Sequence, residues 1–278
     1  RSSLFAATDE AGLPDAVGLY VVSGVRAADD VLAPLLLAQW AEAFDKKKDT
    51  IALDLAPQFD SVDTLERCGD VMRDLLAEPL YRRHVDRRGR RQVALVGYSE
   101  SGKESGLCAS RYAAYRAQGA IAASLAAAGE QHVVFHARGG SLSRGGGRID
   151  ALIRAMPPST VNGLLRLTEQ GEILSQNYGL APIAMRTLER AFSALALATH
   201  AGATMQAHEP SPAVQEIGAS VAAESRRRYR QLVWGEPQFH EYFRLVTPID
   251  VIERMQIAAR PASRTELAGL DALRAVPW

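Results

Sequence analysis

"QVALVGYSE", residues 92–100, decides how this chain is to be read: a short apolar run ends at a glycine and gives way to small and charged residues. A run so brief and rich in valine reads as a buried strand that hands over to a helix at its carboxyl end. Four more runs share that texture: "VGLYVVSG" (17–24), "TIALDLAP" (50–57), "HVVFHARGG" (132–140) and "VNGLLRLTEQG" (161–171). Helical patterns separate them. Leu65, Cys68, Met72, Leu75 and Leu76 make one face over 62–80, and Cys108, Tyr112, Tyr115, Gly119 and Ala122 make one over 106–127. Such alternation predicts parallel βα units and an α/β fold. Beyond Gly179 the pattern turns to helices over 181–200 and 211–234, the latter ending "RRRYRQ", then shorter pieces to Trp278. No Pro-, Gly- or Ser-rich linker intervenes. Residues 1–278 are therefore expected to form one domain, with βα units over 16–179 and mostly helix over 180–278. Polar residues cluster just past the strand ends, which in a (β/α)8 TIM-type barrel form the catalytic face. Five units cannot close eight strands, so the expectation is part of such a barrel with additional helices.

The composition excludes several functions. With 47% hydrophobic and 23% charged residues among 278, the chain is globular rather than disordered. Lys+Arg and Asp+Glu both number 32, so no global field recommends nucleic acid or an acidic membrane as a partner. Any anion site must be local. No window approaches a membrane span and no signal-like start is present, which predicts a cytoplasmic protein. Cys68 and Cys108 lack metal-ligand spacing and are expected to be buried thiols in a reducing compartment. The chain starts "RSSLF" without Met, and a fragment is expected.

"GYSESGKESG", 97–106, fits G-x-x-x-x-G-K up to Lys103, but Glu104 stands where a nucleotide P-loop needs Ser or Thr. A carboxylate there would repel β- and γ-phosphates. The P-loop is therefore rejected. Lys103 reads instead as a point-charge anion contact and Glu100 as an oxygen ligand for Mg²⁺ or Mn²⁺; the alternative is a charged helix start favoured by its dipole. In "FHARGGSLSRGGGR", 135–148, Arg138 and Arg144 stand six apart among glycines, where guanidinium forks and backbone N–H groups can approach one anion. His136 ends an apolar strand beside Arg138, which predicts a lowered pKa and a neutral imidazole able to accept a proton or a hydrogen bond. Asp60, in "APQFDSVDTLERC" (56–68), follows a strand and precedes a helix start at Ser61 or Asp63, where an ordinary cap explains it equally. "LLRLTEQGE", 164–172, brings Arg166, Glu169 and Gln170 to another strand end, as salt bridges or as a site. Gln170 joins Arg138 and Arg144 as a candidate substrate-binding residue. His84, His132, His200, His208 and His240 show no ligand spacing.

Together "GYSESGKESG", "FHARGGSLSRGGG", "LLRLTEQGE" and the terminal "LRAVPW" resemble the phosphoenolpyruvate carboxylase family, whose pattern in the same order reads GYSDSxKD, FHGRGGxxGRGG, LRxTxQGE and LRAIPW. "LYVVSGVRAADDVLA" and "APQFDSVDTLERC" look like its earlier segments, so the likeness runs from about Gly18 to Trp278. The resemblance implies a (β/α)8 barrel, a cytosolic homotetramer, and Mg²⁺- or Mn²⁺-dependent carboxylation of phosphoenolpyruvate by bicarbonate to oxaloacetate, a tricarboxylic acid cycle intermediate, and phosphate. By position it makes Lys103 and Arg144 substrate-binding cations, His136 and Arg138 the pair that handles bicarbonate and the enolate, and Asp60 and Glu100 the metal carboxylates. Arg144 also matches an arginine that the family shares with its aspartate inhibitor site. The chain departs from the pattern with Asp60 for Glu, Glu100 for Asp, Ala137 and Ser143 for loop glycines, Arg148 for Pro, and Ala-Ala-Arg-Pro at 258–261 for Gly-Ser-Arg-Pro. These exchanges leave a second reading open, a catalytically silent relative acting as an anion- or partner-binding module. Because the family's other catalytic His and a further substrate Arg fall outside it, the 278-residue chain alone is expected to be inactive.

Overall fold

The computed structural model describes residues 18–40, 44–45, 50–51, 53–204, 209–248, 251 and 269–272. It begins with β1 (Leu19–Val22), α1 (Ala28–Trp40) and two short strands, β2 (Phe44–Asp45) and β3 (Thr50–Ile51). Next come β4 (Asp54–Phe59), α2 (Val62–Ala77), α3 (Pro79–Arg87), β5 (Arg91–Gly97), α4 (Ser99–Ser105) and α5 (Leu107–Ala127). They are followed by β6 (Gln131–Ala137), α6 (Ile149–Arg154), β7 (Arg166–Thr168), α7 (Gly171–Tyr178), α8 (Ala181–Ala203), α9 (Pro212–Val233) and α10 (Phe239–Val246).

β1, β4, β5, β6 and β7 lie side by side in chain order, every neighbouring pair parallel. Strands that keep advancing in one direction with right-handed crossovers leave their helices on one face, as in half of a barrel; a doubly wound sheet reverses direction. The expected α/β class and parallel units are therefore present. Alternation along each strand divides the core. Leu55, Phe59, Ala94, Val96 and Val134 pack with Leu65, Met72, Leu75, Ile121 and Leu125 of α2 and α5. Ala56, Val93 and Val133, with Leu19, Val21 and Phe135, form a second cluster. β4 hands over to α2 at Ser61, whose hydroxyl accepts from the Thr64 amide in a capping box.

Several boundaries differ from the sequence reading. The run at 50–57 is two elements, since Thr50–Ile51 pair antiparallel with Phe44–Asp45 and the sheet strand starts only at Asp54. The run at 161–171 contracts to Arg166–Thr168, after a turn in which Gly163 takes φ +84°. The 62–80 helix ends at Ala77: Glu78 leaves helical geometry and caps α3, which has Pro79 in its first turn.

In α5 the buried residues are Ala109, Ser110, Ala114, Ala117, Gln118, Ile121, Ala122 and Leu125, so of the predicted stripe only Ala122 is buried. Alanine occurs all round this helix and leaves its rotational phase unmarked in the sequence. Tyr112 turns to α9, its hydroxyl donating to the Gln215 carbonyl at 2.8 Å. Cys68 is buried as expected, whereas Cys108 is exposed, because it shares the misassigned stripe. The segments 258–261 and 273–278 lie outside the described residues, as does His208. Among the described residues no helix is long and apolar enough to cross a membrane. α8 leaves Met185, Leu188, Phe192 and Leu197 exposed.

Candidate active site

The carboxyl ends of β4 and β5 meet at Asp60 and Gly97. A Cβ on Gly97 would stand 2.7 Å from the Asp60 Cβ, so only glycine lets the carboxylate-bearing residue sit there. Alternation places Asp60 on the side of Ala56, the sheet face away from α2 and α5. Gln58 Nε2 donates to Asp60 Oδ2 at 2.9 Å. Burial raises the Asp60 pKa, and the negative charge of Glu100 raises it further against the lowering effect of Gln58. The Asp60 carboxylate is thus held at a free energy cost, from burial first and from the Glu100 charge after it, that a cation beside it would relieve. No group of three or more His, Cys, Asp or Glu suited to a metal forms among the described residues. Mg²⁺ or Mn²⁺ asks for one or two carboxylates with the remaining positions left to water and substrate oxygens, and Asp60 and Glu100 fit that donor set in kind and number.

α4 carries Glu100 and Lys103 and is fixed from three sides. The Ser101 amide donates to the Asp60 carbonyl at 2.8 Å, which docks the helix start on the end of β4. Gly102 passes so close to the 141–147 loop that a Cβ would lie 2.4 Å from the Ser143 carbonyl oxygen. Gly106 joins α4 to α5 with φ +79°, and the Tyr229 ring from α9 fills the space where its side chain would be. Tyr229 also donates its hydroxyl to the Lys103 carbonyl at 2.9 Å. Lys103 is 5% exposed, and its Nζ lies 3.3 Å from Glu100 Oε1. Glu104 is explained too: its carboxylate accepts from the Val62 amide at 2.9 Å and caps α2, which is why a carboxylate stands where a P-loop would hold a hydroxyl.

The Arg-Gly loop closes on itself. Gly139 donates to the Arg144 carbonyl at 2.6 Å and Gly146 to that of Ser141 at 2.8 Å. Arg138, 5% exposed, donates from Nε to the Gly145 carbonyl at 2.8 Å, from Nη2 to the Gly147 carbonyl, and from Nη1 to Glu169 at 2.9 Å. Arg111 of α5 donates to the carbonyls of Leu142 and Gly146, each at 3.1 Å, and stacks 5.3 Å from the centre of the Tyr98 ring. Arg144 is half-buried at the loop tip, its Nε 3.2 Å from Ser99 Oγ at the start of α4.

His136 takes the other direction. It pairs in register with Val96, which packs toward α2 and α5, and its ring is wholly buried. Nδ1 lies 2.8 Å from the Tyr98 hydroxyl, while Nε2 has no partner among the described residues. Burial, then the Arg138 charge, lowers the pKa to about 4, so the imidazole is neutral as expected. If the Tyr98 hydroxyl donates to Nδ1, only one group of the pair stays unsatisfied; the reverse tautomer would strand both the phenolic hydrogen and Nε2. The favoured form carries its proton on Nε2.

Of the residues singled out in the sequence, Asp60, Glu100, Lys103 and Arg144 gather around α4. Arg138 is engaged inside the loop, His136 lies under it, and Gln170 is the half-buried residue preceding α7. Sequence reading missed Tyr98, although it lies inside "GYSESGKESG", and missed Arg111 and Tyr229, which no motif marks.

A sequence profile described as phosphoenolpyruvate carboxylase matches residues 4–278. Curated relatives bearing the same name include one from Xanthomonas euvesicatoria pv. vesicatoria (strain 85-10), 41% identical over 266 residues, covering 95% of this chain and 29% of the relative. Another, from Roseiflexus castenholzii, is 38% identical over 265 residues, with 95% and 28% covered. A third, from Rhodothermus marinus, is 36% identical over 277 residues, with 95% and 30% covered. The chain thus spans under a third of the length of these relatives.

Proposed function

The chain belongs to the phosphoenolpyruvate carboxylase family, and from that premise we propose that the protein carboxylates phosphoenolpyruvate with bicarbonate to oxaloacetate and phosphate. The observation that carries this reading is the gathering of Asp60, Glu100, Lys103 and Arg144 around α4, with Lys103 3.3 Å from Glu100. In this reading the five strands belong to a closed eight-stranded barrel in a cytoplasmic homotetramer, completed by chain that the relatives possess. Asp60 and Glu100 would hold Mg²⁺ or Mn²⁺. The ion supplies charge neutralisation for the substrate's phosphate and enolate oxygens.

Lys103 and Arg144 bind the phosphate and carboxylate of phosphoenolpyruvate, Lys103 as a near-buried point charge and Arg144 as a fork at the loop tip. Their geometry is prepaid, because Tyr229, Gly102 and Ser99 fix them before substrate arrives. Bicarbonate oxygen attacks phosphorus while the bond to the enol oxygen breaks, giving carboxyphosphate and the enolate of pyruvate. Carboxyphosphate separates into CO₂ and phosphate, and C3 of the enolate attacks CO₂. The loop stapled by Arg138 and Arg111 excludes water, which would otherwise protonate the enolate. Gln170, next to the Arg138 partner Glu169, is placed in this reading as a neutral substrate contact. His136, uncharged at neutral pH and lying under the loop on the sheet face opposite Asp60, is placed in this reading as a support of the loop through Tyr98 rather than as a contact of the reacting atoms.

The engagement of Arg138 within the loop favours a second reading, a silent relative that binds anions or a partner without turnover. Oxaloacetate formation by the intact protein, coupled to malate dehydrogenase and NADH, separates the two. Bicarbonate-dependent turnover with Mn²⁺ or Mg²⁺, strongly reduced in Asp60→Asn and Glu100→Gln, is the expected result. Its absence with both metals, while Mn²⁺ still binds, would leave the silent module.

A further inference from the structure

A groove between the Arg-Gly loop and α8 is lined by Arg138 and its partner Glu169 but by none of Asp60, Glu100, Lys103, His136 or Arg144. Its inner part is a cavity of about 270 Å³ walled by Gly140, Gly146 and Gly147 on one side and by Asn177 and Arg190 on the other. It continues into a wider cavity of about 700 Å³ between α6 and α8. Arg148, Asp150 and Arg190 line both.

The charges around it do not balance. Arg138, Arg148, Arg154, Arg186 and Arg190 face only three carboxylates, Asp150, Glu169 and Glu189, a surplus of two positive charges. Glu169 is spent on Arg138 at 2.9 Å. Asp150, 3% exposed, serves two guanidinium groups at once, accepting from Arg148 at 2.7 Å and Arg154 at 2.8 Å. Arg190, half-buried, has no ion pair or hydrogen bond among the described residues. Arg148 and Arg154, held together by one shared carboxylate, repel each other, and Arg190 faces the same groove without a counter-charge among the described residues; a small oxyanion entering between Arg148 and Arg190 offsets this positive surplus with charge-assisted hydrogen bonds.

We propose that this groove is a binding site for a small, multiply charged oxyanion, with the chemistry shared by phosphate esters and polycarboxylates. Arg148 and Arg190 grip it from opposite walls, and the neutral amides of Gln176 and Asn177 supply further donors. Because one wall is the Arg-Gly loop and the other is α8, occupancy bridges the loop and the helix across this cavity. The site goes beyond the carboxylase reading.

Calorimetric titration of the metal-free intact protein with inorganic pyrophosphate and, separately, with tricarballylate tests it. One probe or both should bind, and which one binds assigns the phosphate or the polycarboxylate source. Arg190→Gln should weaken binding about tenfold or more, the loss expected for a charge-assisted contact, and Arg190→Lys should retain part of it. Asp150→Asn should act oppositely and tighten binding, since it releases both guanidinium groups. Far-UV circular dichroism of each variant establishes that it is folded. The proposal is overturned if neither probe binds more tightly than about 10 mM, or if the folded Arg190→Gln binds as the parent does. Because binding rather than turnover is read, failure of the oxaloacetate assay leaves this site standing, and the reverse also holds.

Discussion

Removing the carboxylate of Glu169 isolates a buried charge. The side chains of Arg138 and Glu169 are 2% and 4% exposed, and Nη1 to Oε1 is 2.9 Å. In Glu169→Ala the guanidinium keeps its two carbonyl acceptors, Gly145 and Gly147, and loses its counter-charge. Breaking a buried pair from one side costs about 3–5 kcal/mol, because the desolvation of the surviving ion is no longer offset. With an unfolding entropy of about 2.1 cal/mol/K per residue, a cooperative unit of 278 residues would lose roughly 5–9 °C in Tm, and a longer unit proportionately less. Differential scanning calorimetry and urea midpoints read the loss. Glu169→Gln, which keeps an acceptor oxygen without the charge, should fall between the parent and Glu169→Ala. The double variant Arg138→Met with Glu169→Leu should recover most of the stability, as buried pairs replaced by apolar groups commonly do. A loss below about 1 kcal/mol in Glu169→Ala, or a double variant no better than the single one, would refute the staple and return Arg138 to solvent or substrate.

His136 and His84 are both held at a pKa of about 4, below the ordinary 6.5, chiefly by burial. A lowered folded pKa gives stability that is complete above 6.5 and is lost as pH falls toward 4, so urea midpoints should drop across that window, and a flat profile there would contradict the burial of both rings. Gly102→Ala should cost about 1–3 kcal/mol by overpacking against Ser143, and it should weaken Mn²⁺ binding through displaced Glu100, whereas Gly119→Ala, with nothing within 4 Å of its new methyl, should gain about 0.5–1 kcal/mol in helix propensity. The two melting curves moving together would sink this assignment of contacts. Cys108 should react with a thiol reagent in the native protein, while Cys68, its thiol pushed up to about 12 by burial, should react only on unfolding; two equally fast thiols would contradict that.

The strands were legible where an apolar run ends in glycine, because that junction reports burial and a backbone turn together; β5 and β6 match their runs closely. The split at Thr50–Ile51 was hidden because pairing with Phe44–Asp45 is a tertiary fact. α5 was legible as a helix but not in phase, since alanine marks no side, and the error carried Cys108 with it. In the site, residue types announced Asp60, Glu100, Lys103 and the arginines. What each side chain touches was not announced. Arg138 and Arg144 look equivalent as letters, yet one donates into its own loop and the other reaches Ser99. His136 and Asp60 both end strands, yet strand parity sends them to opposite faces of the sheet. Tyr229 acts on Lys103 from 126 residues away, a distance at which local pattern carries no signal.

That last contact sets a timetable for biosynthesis. The backbone behind Lys103 acquires its tyrosine brace only after a further 126 residues have been made, which at ordinary ribosomal speed takes roughly 6–25 s. Until then the positive-φ joint at Gly106 lacks the ring that covers it, and the nascent polypeptide holds its lysine on a helix with two of its three supports, Asp60 and the 141–147 loop. A ribosome stalled before Tyr229 would therefore display the sheet without a set anion pocket, so ligand capture should begin late in translation.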